Sequence, residues 1–242
     1  MSSLPESLEK VTRGFQADVH ALFPGHVTSL TVYGSAVTED YAPGKSDIDL
    51  LVVLDEQGIE NLQPAQKKIS KWSRRRLHPL LLTEAYIERS LDSFPIEFLN
   101  MQSAYHVLEG KDVLRHLEFD RGDLRLQCEG ELKGDLLHLR QRFIQTRGRK
   151  RDLTALIRES VVAFAAIFKA LLYLKGEQVP RGNRAAVLGA ARAYGLDEAL
   201  MGSLADIERG ARKPSRAELG TLVEAYIRQI RALCQQVDGM RP

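Results

Sequence analysis

The sequence predicts an α+β protein, a small mixed sheet with flanking helices over residues 1–115 followed by an all-α helical bundle over residues 116–242. Three observations carry that reading. Two runs of β-branched and aliphatic residues, Val27 to Tyr33 and Ile48 to Leu54, read as strands within the first 55 residues. After Arg115 strand signals stop, and the rest carries helical periodicity with Gly148, Pro180, Gly195 and Pro214 near the breaks. Charge divides along the same line. Residues 1–119 hold 12 Lys/Arg against 17 Asp/Glu, and residues 120–242 hold 22 against 15. The basic half suits an anionic ligand, or else presents a mixed, solvated helical surface.

Each element follows from local pattern. Residues 3–22 space Leu8, Val11, Phe15, Val19 and Leu22 as one face of a helix that ends at Pro24-Gly25. The Val27–Tyr33 strand runs into Gly34-Ser35, and residues 36–46 read as a short helical turn and a loop through Pro43-Gly44. Ile48 to Leu54 is nearly all aliphatic, as in a strand buried on both faces. Residues 64–76 read as a basic amphipathic helix whose terminal Arg74, Arg75 and Arg76 complement its dipole. Strands are expected at residues 79–82 and 96–99, a helix between them at 86–91, and a last strand at 105–108. The bundle is expected as helices over 121–147, 152–175, 183–194, 196–209 and 215–237.

Bulk properties narrow the class. Of 242 residues, 44% are hydrophobic and 27% charged, the balance of an ordinary globular chain. Two cysteines, Cys128 and Cys234, supply neither a disulfide framework nor a Cys-based metal site, which fits a reducing cytoplasm. The polar N-terminus lacks a signal-peptide core, and the longest apolar stretch, Val161 to Phe168, is cut by Lys169 and is too short for a bilayer. The expectation is a soluble cytoplasmic protein with no membrane partner. Self-association is left open.

Chemistry concentrates at Asp47 and Asp49 in SDIDLLVVL. Residues two apart on a strand share a face, which sets the two carboxylates roughly 6–7 Å apart at Cα. Like charges held that close raise each other's cost of ionising, and a cation between them removes the conflict. Paired carboxylates at a strand end suit Mg²⁺. Gly34-Ser35 offers backbone N–H groups and a hydroxyl at a helix start, where a phosphate is favoured. Haloacid-dehalogenase-like phosphatases also use Asp-x-Asp, but there the pair is not so far from the first strand. Sugar-nucleotide glycosyltransferases place theirs after a complete nucleotide-binding half-domain, too long for 46 residues.

The remaining pattern is Gly-Ser, 11 residues, then Asp-hydrophobic-Asp-hydrophobic. The segment TVYGSAVTEDYAPGKSDIDLLVVL resembles the signature of the polymerase-β-like nucleotidyltransferase superfamily, closest in kind to the bacterial aminoglycoside-type enzymes. The resemblance is strong over residues 30–54 and looser to residue 115. It implies a nucleotidyltransferase fold in which Asp47 and Asp49 hold Mg²⁺, while Gly34, Ser35 and Ser46 meet the phosphates of a nucleoside triphosphate, ATP first among them. It further implies a third carboxylate on a neighbouring strand, for which Glu97 in FPIEFLN is the candidate, as base or metal ligand. An acceptor hydroxyl on a small molecule such as an aminoglycoside, or on a protein, would then attack the α-phosphorus and release pyrophosphate.

Weaker signals surround this core. Lys45 lies in the loop before the dyad and could reach the nucleotide. Lys169, in VVAFAAIFKALLYL, either snorkels to water or meets an anion such as the triphosphate. The cluster Arg147 to Arg151 reads as a solvated turn, and none of the six His stands at metal-ligand spacing. The lack of long basic, aromatic-rich stretches argues against a template-directed polymerase, and a nucleic-acid partner is not expected. The alternative in another class is a catalytically silent, antitoxin-like binding or partner module.

Overall fold

A computed structural model describes residues 4–44 and 46–240. The chain runs through α1 (Glu6–Leu22), β1 (Val27–Tyr33), a 3-10 turn (Gly34–Val37), β2 (Ile48–Leu54) and α2 (Glu56–Glu60). A second 3-10 turn (Gln63–Lys67) leads into α3 (Ile69–Arg74), β3 (Leu77–Thr83), α4 (Glu84–Arg89), α5 (Pro95–Ser103) and β4 (Tyr105–Gly110). Then come α6 (Arg121–Gln145), α7 (Lys150–Leu174), α8 (Asn183–Tyr194), α9 (Glu198–Glu208) and α10 (Arg216–Asp238). Two compact units result. One holds the chain up to Leu91 and Met101–Glu118; the other holds Asp92–Asn100 and everything from Phe119 onward.

The first unit is built on a four-stranded mixed sheet in the order β3-β2-β1-β4. β1 pairs antiparallel with β2 and β4, whereas β2 pairs parallel with β3. β2 is central, and Leu50 to Leu54 are all buried, which explains its unbroken aliphatic run. α1 lays Leu8, Phe15 and Val19 against Leu30, Val32, Leu50, Val52 and Trp72 in one core. The Phe15 and Trp72 rings meet at 5.1 Å between centroids.

α3 is tied down through charge. Asp18 on α1, only 8% exposed, accepts from Lys71 Nζ at 2.6 Å, Lys68 Nζ at 3.0 Å and Trp72 Nε1 at 3.3 Å. Burial alone would raise this carboxyl, yet the hydrogen bonds from Lys71, Lys68 and Trp72 outweigh it and pull the pKa down to about 2. Of the basic residues expected to serve one long helix, Lys67 lies on a 3-10 turn, Lys71 and Arg74 on a short helix, and Arg75 and Arg76 beyond it, while Lys68 and Lys71 hold an acid of α1.

Residues 96–99 correct the expected strand: they lie within the helix α5. Four residues cannot settle periodicity, and Pro95 at the first helical position favours a helix start. Gln127 of α6 completes that start, its Oε1 accepting from the Ile96 N–H at 2.8 Å. In the second unit α7 is the hub, burying Leu156, Ile157, Phe164, Phe168 and Leu171. Helix ends are set by Asp120, which caps α6, Asp197, which caps α9, and a Ser215–Glu218 capping box on α10. Among the described residues no helix is long and apolar enough to cross a membrane.

Candidate active site

The site begins where β1 turns away from the sheet. Tyr33, the last residue of β1, pairs with Asp49 of β2. The next residue, Gly34, has φ +71°, and a Cβ there would stand 3.3 Å from Asp49 Oδ2. Only glycine adopts this conformation freely while leaving the carboxylate its room. The Gly34 N–H donates to the Ala104 carbonyl at 2.9 Å. It therefore anchors the turn and is not itself available to a phosphate. Ser35 follows, half-buried, in the 3-10 turn, with its carbonyl accepting from the Thr38 backbone and hydroxyl at 3.1 Å each.

Asp47 lies just ahead of β2 and is half-exposed, while Asp49 inside the strand is more deeply set. Burial raises the Asp49 pKa, His78 works to lower it, and Asp47 raises it further. Burial and the Asp49 charge together push Tyr33 up to about 12. Asp49 therefore senses Asp47, beside the Gly34 turn.

Other expected members fare differently. The Ser46 hydroxyl accepts from the Ala42 N–H at 3.0 Å and closes its own loop. Lys45 lies outside the described residues. Glu97 is exposed near the start of α5, in the second unit, where Gln127 Nε2 donates to it at 2.9 Å. It is not on a strand next to the acids. Lys169 belongs to the second unit and is only 6% exposed, so the snorkelling expectation is corrected: this lysine is buried within α7.

The strand beside the acids carries bases. In the parallel β2–β3 ladder His78 pairs with Asp49, and its Nε2 lies 3.5 Å from Asp47 Oδ1. Arg76, just before β3, places Nη1 2.7 Å from the same oxygen. Sequence reading passed over both, giving Arg76 to a helix end and finding no His at ligand spacing. The available signal was the two-residue spacing of Arg76 and His78, which repeats that of Asp47 and Asp49.

Among the described residues no three His, Cys, Asp or Glu side chains form a group that could hold a metal ion. Mg²⁺ is commonly held through one or two carboxylates plus substrate phosphates rather than by an all-protein cage. Two adjacent acids, one pushed up by burial and by its neighbour, beside a tight turn are a donor set of that kind.

Comparison with known proteins bears on the fold. Residues 13–102 match the family model described as nucleotidyltransferase domain. No curated protein matches the chain. Among solved structures, the chain is similar to spectinomycin adenyltransferase AAD(9) from Enterococcus faecialis, crystallised with ATP and spectinomycin. That match has a TM-score of 0.55 and 14% identity, and covers 95% of this chain and 100% of that one. The likeness is one of fold and extends through the helical region. Over residues 13–102 the chain is similar to nucleotidyltransferase domains.

Proposed function

We propose that the protein transfers a nucleoside monophosphate from a nucleoside triphosphate, with ATP as donor, to a hydroxyl acceptor and releases pyrophosphate. The observation that carries this reading is the apposition of Asp49 to the Gly34 turn, with Asp47 two residues earlier, just ahead of the same strand. Asp47 and Asp49 would hold Mg²⁺, which when bound supplies a positive charge for the triphosphate oxygens and the departing pyrophosphate. The half-buried setting of Asp49 limits water around that charge and strengthens it. Ser35 would present its hydroxyl to the phosphates from the turn that Gly34 anchors. With little covalent work for the protein, rate would come from positioning and electrostatics. The resemblance calls for its base on a strand beside the acids, whereas Glu97 lies on α5; Glu97→Gln checks whether it takes the acceptor's proton. The named ligands of AAD(9) make an aminoglycoside-like small molecule the first acceptor to try, with a protein hydroxyl second.

One observation favours the other reading. The residue facing Asp49 on the neighbouring strand is an imidazole, His78, not a carboxylate, and a guanidinium rests on Asp47. A module that binds nucleotide without turnover could carry such a pair. Pyrophosphate release, measured with each nucleoside triphosphate, Mg²⁺ and a panel of acceptors, separates the two. Release that is lost in Asp49→Asn supports the transferase. ATP binding without release in any mixture supports the silent module, and equal release in both proteins would reject the metal site.

A further inference from the structure

Arg76 is placed with unusual care for a half-exposed side chain. Its backbone has φ +57°, one of two positive-φ non-glycine residues among those described. Left-handed backbone at such a residue is strained, and strain of this sort collects at ligand clamps. The conformation is fixed from β2, because the Ile48 N–H donates to the Arg76 carbonyl at 2.8 Å. Pinned there, Arg76 precedes the Ile48–Leu77 and Asp49–His78 pairs of the ladder, and its guanidinium meets Asp47 Oδ1 at 2.7 Å. Arg75 turns elsewhere, toward Gly14 of α1. Of these two arginines, Arg76 alone is aimed at the acids.

The pair is open to exchange. The side chains of Arg76 and Asp47 are 49% and 52% exposed, so water screens their attraction and the bond is weak. A divalent cation on Asp47 would face the guanidinium at close range, and two positive groups on one carboxylate oxygen repel. Phosphate oxygens are a stronger partner for a guanidinium fork than a lone, already occupied carboxylate.

Resting on the metal-site reading above, we propose that Arg76 is a triphosphate-binding residue held in reserve on Asp47. In the ligand-free protein it neutralises Asp47. When a divalent cation and a triphosphate arrive together, the cation takes Asp47 and the guanidinium moves to a phosphate oxygen. Cation and triphosphate thus help each other, because each supplies what the other displaces.

The test is a calorimetric titration of full-length wild type, Arg76→Ala, Arg76→Gly, Asp47→Asn and Asp49→Asn, with Mn²⁺ alone and with Mn²⁺ plus ATP. Arg76→Gly suits the left-handed backbone and guards against misfolding of the alanine variant. Both Arg76 variants are expected to bind Mn²⁺ alone about 2- to 5-fold tighter, the scale of a half-exposed ion pair. They are expected to bind the Mn²⁺–ATP pair several-fold more weakly. Arg76 variants that match wild type for Mn²⁺ alone, or that keep full affinity for Mn²⁺–ATP, overturn the proposal. If Asp47→Asn and Asp49→Asn lose Mn²⁺ while the Arg76 variants match wild type, the metal site stands and only the role of Arg76 falls. Mn²⁺ binding that survives both Asp substitutions, or that no protein shows, overturns the metal site and this inference together.

Discussion

Asp49 and His78 are directly opposed partners in the parallel β2–β3 ladder, and the same imidazole reaches Asp47 at 3.5 Å. The place on the adjoining strand where a third acid would complete the site is thus held by a base. His78→Glu would install that acid. Three carboxylates around one point repel, so the apo protein should melt a few degrees lower, about 1 kcal/mol of lost stability. Mn²⁺ should restore it. Melting curves with and without Mn²⁺ check this, and a loss that the cation does not reverse counts against a shared site.

Asp49→Asn should uncouple stability from activity. The substitution removes a half-buried charge that burial and Asp47 both disfavour, so the melting temperature should hold or rise. Pyrophosphate release should fall by about 100-fold or more, because the loss of one charge-stabilising group in a catalytic centre has that scale. A drop in both quantities would mark Asp49 as structural.

Gly34→Ala combines two penalties in one position. A left-handed backbone disfavours alanine, and the new Cβ would press on Asp49 Oδ2 from 3.3 Å. Loss of about 1–2 kcal/mol is expected, with ATP affinity falling alongside. Chemical denaturation and ATP titration on the same sample measure both.

Asp18 should govern the acid limb of stability. Its folded pKa of about 2 lies below the usual 3.8 of an aspartate. A depressed carboxylate contributes stability that is fully present above the unfolded pKa and lost as pH falls through the folded one. The window is therefore roughly pH 4 down to 2. Asp18→Asn should cost about 1–2 kcal/mol at neutral pH, since it removes the shared acceptor of two lysines whose ammonium groups stay partly solvated. It should also flatten the stability profile in that window, and urea midpoints measured from pH 5 to pH 2 give the answer.

Much of this was legible in the residues. β1 and β2 begin and end where their aliphatic runs meet Gly34, Ser46 and Asp55, and the bundle helices fall close to their expected spans because glycine, proline and capping residues punctuate them. What failed was short-range and cross-chain. The segment from Pro64 to Arg76 breaks near Lys68, because packing of Trp72 and the bonds to Asp18 decide its path over helical propensity. Ile96 to Leu99 alternates well enough for a strand, yet Pro95 and the distant Gln127 make it helical. Arg76 and His78 could not be assigned to the acids, since the partner of a parallel strand and its register are set by the whole sheet.

The sole tryptophan, Trp72, is buried in the first unit between Phe15 and Asp18. Indole emission therefore reports the melting of that unit alone, whereas far-ultraviolet ellipticity is dominated by the long helices of the other. Two optical signals from one unmodified sample can follow each half of the molecule, and ATP added to the cuvette will show which half it steadies.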